Sequence, residues 1–395
     1  MKQGLRENWK QFSLLVLING FVGGMVGLER SILPELAEVE FEIAARSAIL
    51  SFILVFGIVK AITNYFTGML ADRVGRKNLL IIGWLFAIPV PLILMYAPSW
   101  DYVVLANVLL GINQGLTWST TVVMKIDLVG TKNRGLAMGI NESAGYLAVG
   151  AVAFLTAWIA AEYAIRPYPF YLGLGMSLAG LFGSLFLVRD TAGFVHKEIA
   201  ATSEEATGKV FWKTTWKDKN LGSITQAGLV NNLNDAMVWG MLPILLSIRG
   251  FDLVEIGKLV AIYPAIWGIG QLGAGRLADL FPKKRLLFWG ILLQGLALFL
   301  FLYATTFFHF ALISVFLGIG TAIVYPTFLA GIADYAHPKQ RVKSIGIFRL
   351  WRDLGYAVGA LLTSIVADNW GVLPSIGIVA GLTVLSAMII LIRME

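Results

Sequence analysis

Six ionisable side chains fall deep within stretches otherwise apolar enough for a membrane interior. Lys60 lies within 46–70, Glu142 within 136–160, Asp235 within 221–247, and Arg349, Arg352 and Asp353 within 342–366. A charge at a bilayer centre costs about 3 kcal/mol on insertion scales, so such residues are expected to face a cavity or one another and to mark a ligand or ion pathway. Arg349 and Arg352 are three apart and share a helix face. Two guanidinium groups on one face suit a carboxylate or phosphate through paired hydrogen bonds. Neutralisation by Glu142, Asp353 and nearby carbonyls is the alternative. Glu142, Asp235 and Asp353 are the groups on which a coupling proton would ride, with sodium as the other candidate ion.

Around these charges stand polar and aromatic residues suited to an organic ligand. The stretch 102–126 holds Asn113, Gln114, Thr117, Trp118 and Thr121, and Asn231, Asn232 and Asn234 surround Asp235. Tyr263 and Trp267 lie in 255–279 and Tyr325 in 309–333. Aromatics with scattered amides suit a small amphipathic molecule, although packing and interfacial belts use the same residue types. Glu29 is 17 residues past Phe12, roughly 25 Å along a helix at about 1.5 Å per residue. With Arg30 it is expected to line an outer gate or to snorkel to the interface.

The elements that position these residues follow from composition. Of 395 residues 57% are hydrophobic and 14% charged, with mean hydropathy +0.76. Soluble domains carry about 25% charged residues, so the natural solvent here is a bilayer. Spans of about 20 residues are needed to cross it. They are expected at 11–34, 46–70, 78–97, 102–126, 136–160 and 168–188, then at 221–247, 255–279, 285–306, 309–333, 342–366 and 371–392. Backbone groups in lipid are satisfied only within helices or closed barrels, so an all-α membrane protein is implied. The stretch from Phe12 to Leu33 lacks a small-residue cleavage site and reads as the first span rather than a signal peptide. The 42 glycines suit close helix packing, and the absence of cysteine excludes disulfides and thiolate metal sites.

Basic residues choose the orientation. Arg73, Arg76, Lys77, Lys132, Arg134, Lys283, Lys284, Arg285, Lys339, Arg341 and Lys343 fall in loops of one side, with Lys2, Arg6, Lys10 and Arg393. The other side holds few and carries Glu35, Glu38, Glu40 and Glu42. That asymmetry places both termini in the cytoplasm and the chain in the inner membrane. The net charge of +7 is therefore topological, and nucleic acid is not an expected partner. A polar stretch over 190–219 separates an N-terminal six-helix bundle, 1–189, from a C-terminal one, 220–395. Lys209, Trp212, Lys213, Trp216 and Lys217 within it suggest an interfacial helix.

The halves repeat. Asp72 and Asp279 are 207 positions apart, as are Gly68 and Gly275, Gly111 and Gly318, Asp127 and Asp334, Arg134 and Arg341, and Gly139 and Gly346. Duplication of a six-helix unit around a midplane site is transporter architecture. The stretch 68–77, with Gly68, Asp72, Arg73, Gly75, Arg76 and Lys77, resembles the signature loop between helices 2 and 3 of the major facilitator superfamily. The stretch 275–284 resembles its degenerate second copy. The resemblance implies two pseudo-symmetric six-helix bundles, with helices 1, 4, 7 and 10 lining a cavity and helices 2, 5, 8 and 11 at the interface of the halves. It further implies an ion pair between Arg76 and Asp127 in a gating cluster, and brings Lys60 near Asp353. Two departures stand out: Asn107 occupies the region where many members carry a helix-4 Arg, and the helix-5 Gly-Pro motif of many proton–drug antiporters is absent.

No nucleotide loop of the Gly-x-x-x-x-Gly-Lys-Ser/Thr type, metal set or nucleophile constellation supports an enzyme, and no cofactor is implied. The leading expectation is a monomeric secondary transporter exporting small amphipathic compounds with proton coupling. The first alternative is an organic-anion transporter with proton symport through Arg349 and Arg352. An alternative of another class is a non-transporting receptor or lipid-handling scaffold.

Overall fold

The computed structural model describes residues 3–129, 134–191, 209–336 and 340–395, and among these every regular element is helical. Span 1 is α1 (Trp9–Arg30) followed by α2 (Leu33–Val39), span 2 is α3 (Arg46–Ile49) and α4 (Ser51–Val74), and span 3 is α5 (Arg76–Ala87) and α6 (Pro89–Tyr96). The joint in span 3 precedes Pro89, which cannot donate a backbone hydrogen bond. Spans 4 and 5 are α7 (Trp100–Val129) and α8 (Arg134–Glu162), and span 6 is α9 (Phe170–Phe182) with a wider turn to Leu187. After α10 (Lys209–Trp212), spans 7 to 12 are α11 (Lys219–Ile248), α12 (Leu253–Leu280), α13 (Lys283–Phe301), α14 (Phe307–Tyr335), α15 (Arg341–Trp370) and α16 (Val372–Arg393).

Nine of these spans are long and apolar enough to cross a membrane. The three that fall short are α7, α11 and α15, each 30 residues long. They carry most of the amides and charges singled out above, so polarity has concentrated in three helices that their neighbours shield from lipid. Large apolar groups such as Phe186, Trp289 and Ile392 stand exposed on the outer surface, as suits an apolar solvent.

Close approaches of small residues fix the packing. Within the halves, span 1 lies on span 5 through Gly23 and Gly27, and span 7 on span 11 through Gly355 and Gly359. The repeat-related Gly111 and Gly318 seat span 4 on span 2 and span 10 on span 8. Between the halves, span 2 runs along span 11 and span 5 along span 8, as the family resemblance implied. A Cβ at Gly150 of span 5 would lie 2.8 Å from the Ala261 carbonyl of span 8, and one at Gly268 would lie 2.9 Å from the Leu147 amide. Gly57 makes the same approach to Ala357 across the other seam.

Contact at Gly150 is with rigid backbone, so an added methyl group must push the halves apart. Overpacking of this kind costs about 1–3 kcal/mol. Gly150→Ala is expected to lower the melting temperature of the purified protein in detergent, followed by tryptophan fluorescence. Gly273→Ala, where a Cβ meets nothing within 4 Å, is expected to leave it unchanged.

Candidate functional site

A narrow crevice, in this state nearly filled by the side chains that line it, lies between the halves. Span 2 contributes Lys60 and Asn64, span 4 Trp118 and Ser119, and span 5 Glu142 and Tyr146. Tyr325 comes from span 10 and Arg349 and Arg352 from span 11. Lys60 sits at the middle of its span, and the others lie in the half of each span nearer the face that carries the chain termini.

The three cations differ in how they are satisfied. Arg352 pairs with its neighbour Asp353 at 2.8 Å and donates to the Tyr325 hydroxyl at 2.6 Å. The Asp353 carboxylate also accepts from Asn64 across the seam at 2.6 Å and from Asn232 at 3.4 Å. Asp353 is thus fully engaged, which is why Lys60 does not pair with it. The Lys60 ammonium instead sits among three rings, 5.0 Å from the centroid of Tyr356, 5.4 Å from Phe56 and 5.8 Å from Trp118, an arrangement stabilised by the ring quadrupoles. Among the described residues neither Lys60 nor Arg349 has an ion pair or hydrogen bond.

Glu142 faces them from span 5. Its Oε1 accepts from the Trp118 indole at 2.9 Å and the Asn141 amide at 3.0 Å, while Oε2 is buried without a partner. Behind it, Asn141 Oδ1 accepts from the ammonium of Lys125, which also donates to the Leu15 carbonyl at 3.0 Å. Lys125 is fully buried.

Away from the termini the cavity is sealed. The Arg30 guanidinium lies 4.6 Å from the Trp239 ring, 4.9 Å from Phe56 and 5.8 Å from Phe52. Trp239 stacks on Tyr356 at 5.4 Å. Lys60 lies beneath Tyr356, so the column runs from Arg30 to the cavity. Farther out, the Asp368 carboxylate accepts from the backbone N–H groups of Arg46 and Ser47 and joins span 11 to span 2. The carboxylate of Glu29 and the guanidinium of Arg30 are buried without hydrogen bonds in this arrangement.

Several residues singled out by sequence stand outside the cavity. Asn113 donates to the Gly83 carbonyl at 2.9 Å and Gln114 to that of Val22 at 2.8 Å, tying span 4 to spans 3 and 1. Asn231 and Asn234 both bond Gln294 of span 9 at 3.0 Å. Asp235 accepts from the Tyr263 hydroxyl and, at 3.4 Å, from Tyr356. Trp267 stacks on Tyr146 at 3.5 Å, behind the cavity wall. On the terminal face Arg76 pairs with Asp127 at 2.7 Å, and Lys283 with Asp334 at 2.9 Å. These two pairs are related by the 207-residue offset. Gly75, at φ +88°, makes the turn that presents Arg76, and Arg73 is exposed. The surroundings of Gly68, the side chains of Asp72, Arg134, Asp279 and Arg341, and residues Lys2, Lys132 and Lys339 lie outside the described residues.

Asn64, Ser119, Tyr146 and Lys125 belong to this constellation and escape notice in the sequence. Asn64 is four residues from Lys60 and Tyr146 four from Glu142, so the face of each charged residue carries the signal. Lys125 resembles a loop cation because it lies near a helix end.

The profile of the Major Facilitator Superfamily matches residues 12–229 and 224–395. The proton-coupled antiporter flippase LtaA of Staphylococcus haemolyticus is 23% identical over 387 residues, 93% of this chain and 89% of that protein. A probable 4-methylmuconolactone transporter of Cupriavidus pinatubonensis is 27% identical over 196 residues, 49% of this chain and 45% of that one, so that match spans about half of each. The fold superposes on the human organic anion transporter MFSD10 with TM-score 0.74 at 14% identity, covering 97% of this chain and 99% of that one.

Removing Arg352 strands the buried charge of Asp353, a change that costs about 3–5 kcal/mol. Arg352→Gln is expected to melt well below the parent in detergent, and Arg352→Gln with Asp353→Asn to recover most of the loss. A single variant as stable as the parent contradicts the compensated pair.

Proposed function

The chain belongs to the Major Facilitator Superfamily and is a membrane transporter; we propose that it carries a small organic anion by alternating access, with a coupling proton that rides on Glu142 between substrate occupancies. The observation that carries this reading is the pair of unmatched cations, Lys60 and Arg349, on one cavity. A buried or half-buried charge without a partner is costly, and a carboxylate or phosphate from a ligand supplies what the protein does not. The ring layer of Trp118, Tyr146 and Tyr325 lines the same crevice and offers contact to an apolar body once the halves part. The solved organic anion transporter of the same fold is in keeping with this substrate class.

The proton site follows by comparing the three carboxyl groups. Asp353 is held by Arg352 and Asn64, and Asp235 by two phenolic hydroxyls. Glu142 alone keeps an unpartnered oxygen beside the cavity. With both termini cytoplasmic, as the basic residues indicate, the cavity opens inward. Rocking about the 2–11 and 5–8 seams exposes it to the other side. Export of amphipathic compounds is the second reading, favoured by the aromatic layer and by the likeness to LtaA.

Proteoliposomes loaded through a pH gradient separate the two. Benzoate and phenylpropanoate are expected to accumulate, Lys60→Gln or Arg349→Gln to reduce uptake at least tenfold, and Glu142→Gln to remove the response to the gradient. Transport confined to compounds without a carboxylate or phosphate group, or indifferent to both cation substitutions, sinks the anion reading.

A further inference from the structure

Hydrogen-bond polarity at Glu142 says more about the ligand than its charge. An ammonium only donates, so Lys125 must meet the oxygen end of the Asn141 amide. The nitrogen end is thereby turned toward Glu142. The Trp118 indole, also a pure donor, meets the same oxygen. Both donors are spent on Oε1. Oε2 is left buried and unpartnered, and acceptor-only once the coupling proton has left it, on a residue 3% exposed that lines the cavity. The Lys60 ammonium, 5.8 Å from the Trp118 ring centroid, is engaged with rings rather than with this oxygen.

The cavity therefore asks for two things at once. Lys60 and Arg349 require an acceptor bearing negative charge, and Glu142 Oε2 requires an N–H or O–H donor. Resting on the anion reading above, we infer that the substrate is a bifunctional acid, with a carboxylate or phosphate for Lys60 and Arg349 and an ammonium or hydroxyl group for Glu142 Oε2. Lys125 is a positioning residue in this scheme. It fixes the Asn141 amide, which fixes the carboxylate. Glu142 and Arg349 occupy repeat-equivalent positions, 207 apart, on opposite halves. A ligand that satisfies both spans the gap between the halves. A buried polar group left unmatched by an analogue weakens binding far more than a missing methylene does, so the donor is read out as selectivity.

The test uses four matched compounds that share one phenyl body: phenylalanine, phenyllactate, phenylpropanoate and phenethylammonium. Binding to the full-length protein in lipid nanodiscs is followed at one pH by tryptophan fluorescence. Phenylalanine or phenyllactate is expected to bind at least tenfold more tightly than phenylpropanoate, and phenethylammonium not to bind. In Glu142→Gln that advantage is expected to shrink to within twofold; Glu142→Asp, which withdraws the oxygen, replaces it where the Gln protein does not fold. Equal affinity for all three acids in the parent overturns the bifunctional ligand and leaves the anion reading standing. An advantage that survives both substitutions overturns the assignment to Glu142. Binding of phenethylammonium alone, or of none of the four, overturns both.

Discussion

Arg352 and Asp353 neutralise one another inside the membrane, and the remaining polar groups arrange themselves around that fact. Adjacent residues on one helix seldom face each other, yet here the guanidinium folds back onto its neighbour's carboxylate. The carboxylate has lone pairs to spare and takes Asn64 from the opposite half. The guanidinium reaches Tyr325. One compensated pair thereby joins spans 2, 10 and 11. By engaging Asp353, it also leaves the Lys60 ammonium to aromatic rings. In a medium where each unmatched charge costs kilocalories, the residues left unmatched are the informative ones. Three of them, Lys60, Glu142 and Arg349, line a single cavity, while Glu29 and Arg30 lie buried beyond it.

The duplicated architecture explains where they converge. Positions 207 apart reach equivalent places, so Trp118 and Tyr325 both line the cavity, as do Glu142 and Arg349. At the terminal face the repeat keeps its chemistry, with Arg76 and Asp127 answered by Lys283 and Asp334. In the cavity it keeps the positions and changes the residues. A structural ion pair works the same way in either half, whereas a single ligand has two different ends.

Twelve helices could be read in the chain from apolar length, and the loop motif, through the family it resembles, implied the seams and the Arg76–Asp127 pair. The cavity was only half legible. Intramembrane charge marked Lys60, Glu142, Arg349 and Arg352, for lipid tolerates no idle charge. It did not separate Asp235, held by two tyrosines, from a residue that meets a ligand. Asn113, Asn231 and Gln114 have the composition of a binding face, but they serve as bolts between helices. An amide in lipid must bond something, and whether that partner is a backbone carbonyl or a substrate depends on helix rotation. Pattern alone does not fix rotation to the degree required.

The end of the molecule away from the termini is closed by weak contacts. Beyond the cavity, the seal consists of Arg30 among rings, the Trp239–Tyr356 stack and a carboxylate capping two backbone amides. Ring contacts are each worth about 0.5–1.5 kcal/mol, and Arg30 gives up no ion pair when they part. Such a seal is cheap to open. A ligand shifts the balance between open and closed forms only by its difference in affinity for the two. One that bridges Lys60 and Glu142 on one half to Arg349 on the other has that difference built in. Its ends are satisfied together only while the halves are close, so the groups proposed to select the substrate would also let its arrival be felt at the far seal.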